Sequence, residues 1–89
     1  MLIAKSENGW ELHTISNGKL SCEKNDLDAS DIDRVESDIR KKFGNIIDEE
    51  RIVVSWDNWS GLFIMQMPGR NTDLSDDIIR EIYVFLAGD

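Results

Sequence analysis

His13 and Cys22 are the two side chains of the chain whose types could do chemistry together. They are its sole imidazole and its sole thiol, and a thiol nucleophile needs a positioned base. If Asn8-Gly9 and Asn17-Gly18 each make a two-residue turn, positions summing to 35 pair across the second hairpin, and His13 stands opposite Cys22. A small enzyme working through that dyad is one reading. The same register places both residues with Leu2, Ala4, Ile15 and Leu20 on the better core face. A packed imidazole beside a structural thiol is therefore the simpler reading, and the residue pattern points to a protein without catalytic residues.

Carboxylates are the other chemically capable groups. Asp26, Asp28, Asp31 and Asp33 alternate somewhat as calcium-loop ligands do. Counting from Asp26, however, the sixth position is Asp31 rather than Gly and the twelfth is Ser37 rather than Glu, so the EF-hand requirements are not met. One cysteine cannot supply a multi-cysteine zinc site. No P-loop, G-x-G-x-x-G, His-Glu-x-x-His or G-x-S-x-G pattern occurs. Neither a metal nor a cofactor is expected.

The elements that must position these groups read as α+β. Leu2–Glu7, Trp10–Ser16 and Lys19–Lys24 are separated by the Asn-Gly pairs and form an antiparallel meander. On the tight-turn register Ile3, Lys5, Trp10, Leu12, Thr14, Ser21 and Glu23 share the face opposite the core, with Trp10 and Leu12 as an apolar patch on it. Ser30 is the expected helix N-cap, with Asp33 as its capping-box partner. Ile32, Val35, Ile39 and Phe43 then recur at helical spacing, bases gather in the last turn, and Gly44 ends the helix. Arg51–Trp56 and Leu62–Met67 form a second hairpin whose near-continuous apolar character suits strands in the middle of a sheet. Pro68 and Gly69 end it. Asn71–Ser75 offer caps for a final helix of about Asp76–Ala87, buried through Ile78, Ile79, Ile82, Phe85 and Leu86. The order is β-meander, helix, β-hairpin, helix. It predicts one domain over residues 1–89, an antiparallel sheet of four or five strands with two helices packed on one face.

Two features could bind a partner. Between Asp26 and Asp38 six acids (Asp26, Asp28, Asp31, Asp33, Glu36 and Asp38) face only Arg34 in opposition. Asp31 and Asp38, seven residues apart, share a line of the helix away from its apolar stripe. At the second hairpin, Trp56 alternates with Ile52 and Val54 and belongs near the core. Trp59 falls in the turn beside Asp57, where a large ring has little cover. Trp is enriched among interface hot spots. The alternatives are a solvated helix face and an indole folded back onto the sheet.

Charge directs the choice of partner. Eighteen acids against ten bases give a formal net charge of −8 over 89 residues. Such a surface repels phosphates and anionic lipid, so direct nucleic-acid or membrane binding is disfavoured and a basic protein partner is favoured. The same charge also serves plain solubility. The lone cysteine and the short apolar start Met1-Leu2-Ile3-Ala4 point to a cytoplasmic protein.

In size, charge and element order the chain is similar in kind to two groups of small acidic proteins. One is the bacterial immunity proteins that neutralise contact-dependent or other secreted toxins; the other is the phage-encoded inhibitors of CRISPR effectors. The likeness is one of class and carries over no functional residue. The first group implies a protein that plugs the active or substrate-binding site of a basic, nuclease-type toxin. The second implies an anti-defence inhibitor using the same charge against a nucleic-acid channel.

Overall fold

A three-residue loop, not a two-residue one, closes each of the first two hairpins, and this sets the register of the sheet. The computed structural model describes residues 1–15, 18–67 and 77–88. In the first hairpin Ser6 N donates to Trp10 O (2.8 Å), Gly9 N donates to Ser6 O (3.1 Å), and Gly9 takes φ 94°. Ile15 N donates to Lys19 O (2.8 Å) in the second, where Gly18 takes φ 81°. A positive-φ glycine closing a three-residue loop is the next most common hairpin solution after the primed two-residue turns.

The extra loop residue moves every pair by one position. Strands β1 (Leu2–Lys5), β2 (Glu11–Thr14) and β3 (Leu20–Lys24) pair as Ala4↔Leu12, Lys5↔Glu11, Leu12↔Cys22, His13↔Ser21 and Glu11↔Glu23. A one-residue slip carries a strand's side chains to the opposite face. Trp10 and Leu12 are consequently core rather than an outward patch, and His13 is on the opposite face from Cys22. The expected His13–Cys22 pairing does not form. An irregularity between Leu2 and Ala4 adjusts β1 further, leaving Leu2 opposite His13.

Strands β4 (Ile52–Asp57) and β5 (Gly61–Gln66) complete a five-stranded antiparallel sheet in the order β1-β2-β3-β5-β4. Of the two expected central strands, β5 is central and β4 is an edge. Helix α1 (Ile32–Phe43), the short α2 (Ile46–Glu49) and α3 (Asp77–Leu86) supply the helical layer. α1 and α2 lie along β4, and α3 lies across β3, β2 and β5. The core among the described residues is built from Trp10, Leu12, Leu20, Cys22, Ile52, Leu62 and Ile64 of the sheet segments, with Val35, Ile39, Ile47, Ile79 and Ile82 of the helices. The α+β class and the helical cover of one sheet face are as expected. The one-turn α2 is an addition.

α1 ends where the sequence places its end. Gly44 adopts φ 73° and donates to Arg40 O (2.8 Å). Its start differs. Asp28 rather than Ser30 caps a 3₁₀ turn, Ala29–Asp31, that leads into α1, and Asp31 closes the capping box. A carboxylate two residues earlier wins because it can hold Ser30 N (2.8 Å) while Asp31 returns to Asp28 N (3.1 Å). The turn residues Ser16 and Asn17, the expected strand end at Pro68 and Gly69, the caps over 71–75 and the helix start at Asp76 lie outside the described residues. Among the described residues no helix is long and apolar enough to cross a membrane.

Candidate functional site

The β4–β5 hairpin tip and the acid-rich segment preceding α1 meet at one end of the molecule. Three contacts bring them together. Trp56 Nε1 donates to Leu27 O (3.2 Å). Gly61, at φ 72°, lies so close to Lys24 O and Asn25 that an added Cβ would sit 2.5 Å from that oxygen. The Ala29–Asp31 turn also packs on β4. Glycine at position 61 is therefore required by conformation and by space.

Asp57 builds the tip. Its Oδ1 accepts from Trp59 N (2.9 Å) and Ser60 N (2.6 Å), an Asx arrangement that fixes the turn backbone. Trp59 projects from this fixed turn at 93% exposure. It does not fold back onto the sheet. Trp56, expected near the core, is 37% exposed and forms a half-open apolar ledge tied down by its indole N–H.

The acids divide by role. Asp26 pairs with Lys24 Nζ (3.1 Å) while its own side chain stays open to solvent, and Lys24 also holds Asn8 O (2.6 Å). Asp28 and Asp31 hold the capping turn, and Arg34 joins Asp31 at 3.1 Å. The Asp28 backbone N–H, and then Arg34, keep the Asp31 carboxyl below the usual carboxylate range. Asp31 is thus a fixed negative charge with a structural duty. Glu36 is bound to Arg40 (3.2 Å). Asp33 and Asp38 form no salt bridge among the described residues. Asp38 lies two helical turns beyond Asp31, about 10 Å along the axis. The structure thus gathers Asp26, Asp28, Asp31, Asp57 and Trp59 at one end, with Asp33 and Asp38 leading away along α1.

A second polar cluster went unread in the sequence. On the sheet face away from the helices, His13 Nε2 lies 2.7 Å from Glu11 Oε1 and 3.8 Å from Glu23 Oε1, and Lys5 Nζ is 3.5 Å from Glu11 Oε2. Its signal is the i, i+2 spacing of Glu11 and His13, with Glu23 opposite Glu11, visible only with the correct register. The hydrogen bond from His13 holds the Glu11 carboxyl below its ordinary value. Lys5 and the His13 hydrogen bond offset the repulsion between Glu11 and Glu23, which face each other across the strands.

Cys22 has no exposure, and burial, followed by the Glu23 charge, pushes its thiol up to about 12. At neutral pH it is a packed thiol without thiolate character. Among the described residues no three His, Cys, Asp or Glu side chains converge as metal ligands. No protein-family model matches the chain, and comparison with curated proteins and with solved structures likewise finds no match.

Proposed function

We infer that this protein is a small acidic binding protein of the immunity type. In this reading it inhibits a basic, nuclease-type toxin by covering that toxin's active or substrate-binding site. The observation that carries the reading is Trp59, a fully presented indole on a turn held by the Asp57 carboxylate, at the end of the molecule where the acid-rich segment lies. An exposed aromatic anchor on a preorganised backbone with a charged surround is the composition of a binding hot spot. The net charge of −8 selects a partner of opposite sign and speeds encounter. A cytoplasmic location accords with a protein that meets an incoming toxin inside the cell.

The test is capture of the partner by the parent chain and by Trp59→Ala, followed by binding kinetics at two salt concentrations. The reading expects a basic partner retained by the parent and lost faster from the variant. A partner of acidic charge, or a Trp59→Ala variant that binds like the parent, would overturn it.

A further inference from the structure

At the end of α1 remote from Trp59, an open groove of about 620 Å³ runs between α1 and α3, lined by Lys42, Phe43, Arg80, Glu81, Val84 and Phe85. Its floor is aromatic: Phe43 and Phe85 meet edge to face with centroids 5.7 Å apart and planes at 87°. Val84 is 47% exposed on its wall. Its rim carries two cations, Lys42 and Arg80, against one acid, Glu81. Arg40 is engaged by Glu36 and Asp48, whereas Lys42 and Arg80 form no salt bridge among the described residues.

The groove and the hairpin tip are complementary in chemical character. One is an aromatic notch whose rim carries Lys42, Arg80 and Glu81, with the cations in excess; the other is the exposed Trp59 indole on a turn built by the Asp57 carboxylate. They cannot meet within one molecule. α1 starts beside the tip, where Trp56 is bonded to Leu27, and its 12 residues carry the chain about 18 Å away before Phe43 reaches the groove. α2 and Glu50 then return to the opposite end of β4, where Gln66 Nε2 donates to Glu50 O (3.0 Å).

We propose that the groove receives Trp59 of a second copy of this chain, so that the protein self-associates head to tail. The contact is heterologous: each protomer offers its tip to one neighbour and its groove to another, and growth continues until a ring closes or the supply of protomers limits it. Because a single side chain anchors it, the contact is small and weak. The local match of sign acts at short range, while at physiological salt a Debye length of about 8 Å screens much of the repulsion between whole molecules. The proposal shares Trp59 with the partner reading above but depends on the groove, which that reading does not use. Self-association would then hold the anchor in reserve until a tighter partner takes it.

Sedimentation velocity of the full chain at rising concentration tests this. The weight-average sedimentation coefficient of the parent should climb. Trp59→Ala, and separately the pair Lys42→Glu with Arg80→Glu, should each stay monomeric; all three side chains are exposed, and circular dichroism checks that the folds persist. Mixing the two variants is the decisive arm. The Trp59→Ala chain retains a groove and the charge-reversed chain retains a tip, so the mixture should form dimers that cannot extend. A parent that stays monomeric up to about 1 mM, the weak end of specific binding, overturns the proposal. So does a mixture that stays monomeric while the parent associates. The groove variant should still bind the basic partner like the parent, so either reading can fail without taking the other with it.

Discussion

Leu12 and Cys22 face each other directly across β2 and β3, and both are buried, at 3% and 0% exposure. This pair fixes which side of the meander is core. It follows that His13, one residue along, lies opposite Ser21 on the far side, where its ring meets Glu11 instead of a thiol.

Truncating Leu12 to Ala should cost about 2–5 kcal/mol of stability, the range for buried large-to-small changes. His13→Ala, which loses a partly buried hydrogen bond to Glu11 and no core packing, should cost about 0.5–1.5 kcal/mol. Urea unfolding of both variants measures the difference. The reverse order would mean that the meander is paired in the tight-turn register after all.

The same reasoning orients α3. Ile82 has no exposure and Val84 is half open, so Ile82→Ala should lose about 2–5 kcal/mol. Val84→Ala should stay within about 0.5 kcal/mol of the parent. Equal losses would place the wrong face of the helix against the sheet.

Gly61→Ala combines a positive φ with a Cβ driven toward the Lys24 carbonyl. Thermal unfolding should show a loss of about 2 kcal/mol or more, since backbone strain of this kind costs on the order of 1–3 kcal/mol before the collision is added. A variant as stable as the parent would show that the hairpin tip can move off the Lys24–Asn25 backbone.

Cys22 makes the fold sensitive to alkali. Its thiol ionises near 9.0 when unperturbed and at about 12 in the fold. Above the unfolded value the unfolded chain releases the proton while the folded chain keeps it, so stability is intact below about pH 9 and falls as pH rises. The slope approaches about 1.4 kcal/mol per pH unit between the two values. Cys22→Ala should flatten this part of the profile. A thiol reagent at pH 8 should leave the native protein unmodified and react once urea unfolds it; rapid native labelling would contradict the burial.

Binding kinetics should separate the two parts of the tip region. Trp59→Ala should leave the melting temperature unchanged and speed dissociation from the partner, costing about 2 kcal/mol or more of affinity. Reversing Asp33 and Asp38 to Lys should slow association and reduce its salt dependence. Asp31 is left in place because it is tied into the capping turn; Asp33 lies in the first turn of α1, where a cation opposes the helix dipole, so circular dichroism checks that the helix persists.

α1 could be read almost complete from the sequence because its determinants are local. The Ile32–Val35–Ile39–Phe43 stripe, the basic last turn and Gly44 all lie within thirteen residues, and each acts on its own neighbours. The two sheet segments and the final helix were legible for the same reason. So was the concentration of acid over 26–38.

Hairpin register, the helical groove and the fate of Trp59 were decided by contacts that a strand's own apolar pattern does not show, most of them distant in sequence. Asn-Gly is compatible with loops of two or three residues, and the tie-break came from elsewhere. Ser6 Oγ accepts from Trp10 N (3.0 Å), Asn8 Nδ2 donates to Leu86 O (2.8 Å), and the core admits Trp10 and Leu12. None of these partners is visible in a strand's own alternation, and a slip of one residue reverses every assignment on it. Trp59 stands open because Asp57 and Gly61 lock the turn against Lys24 and Asn25, more than thirty residues away in the chain. Phe43 and Phe85 likewise form the groove only because α1 and α3, from opposite halves of the sequence, cover the same sheet face. Periodicity tells a residue which side of its own element is apolar, but only the closed sheet and its helical layer decide what that side will meet.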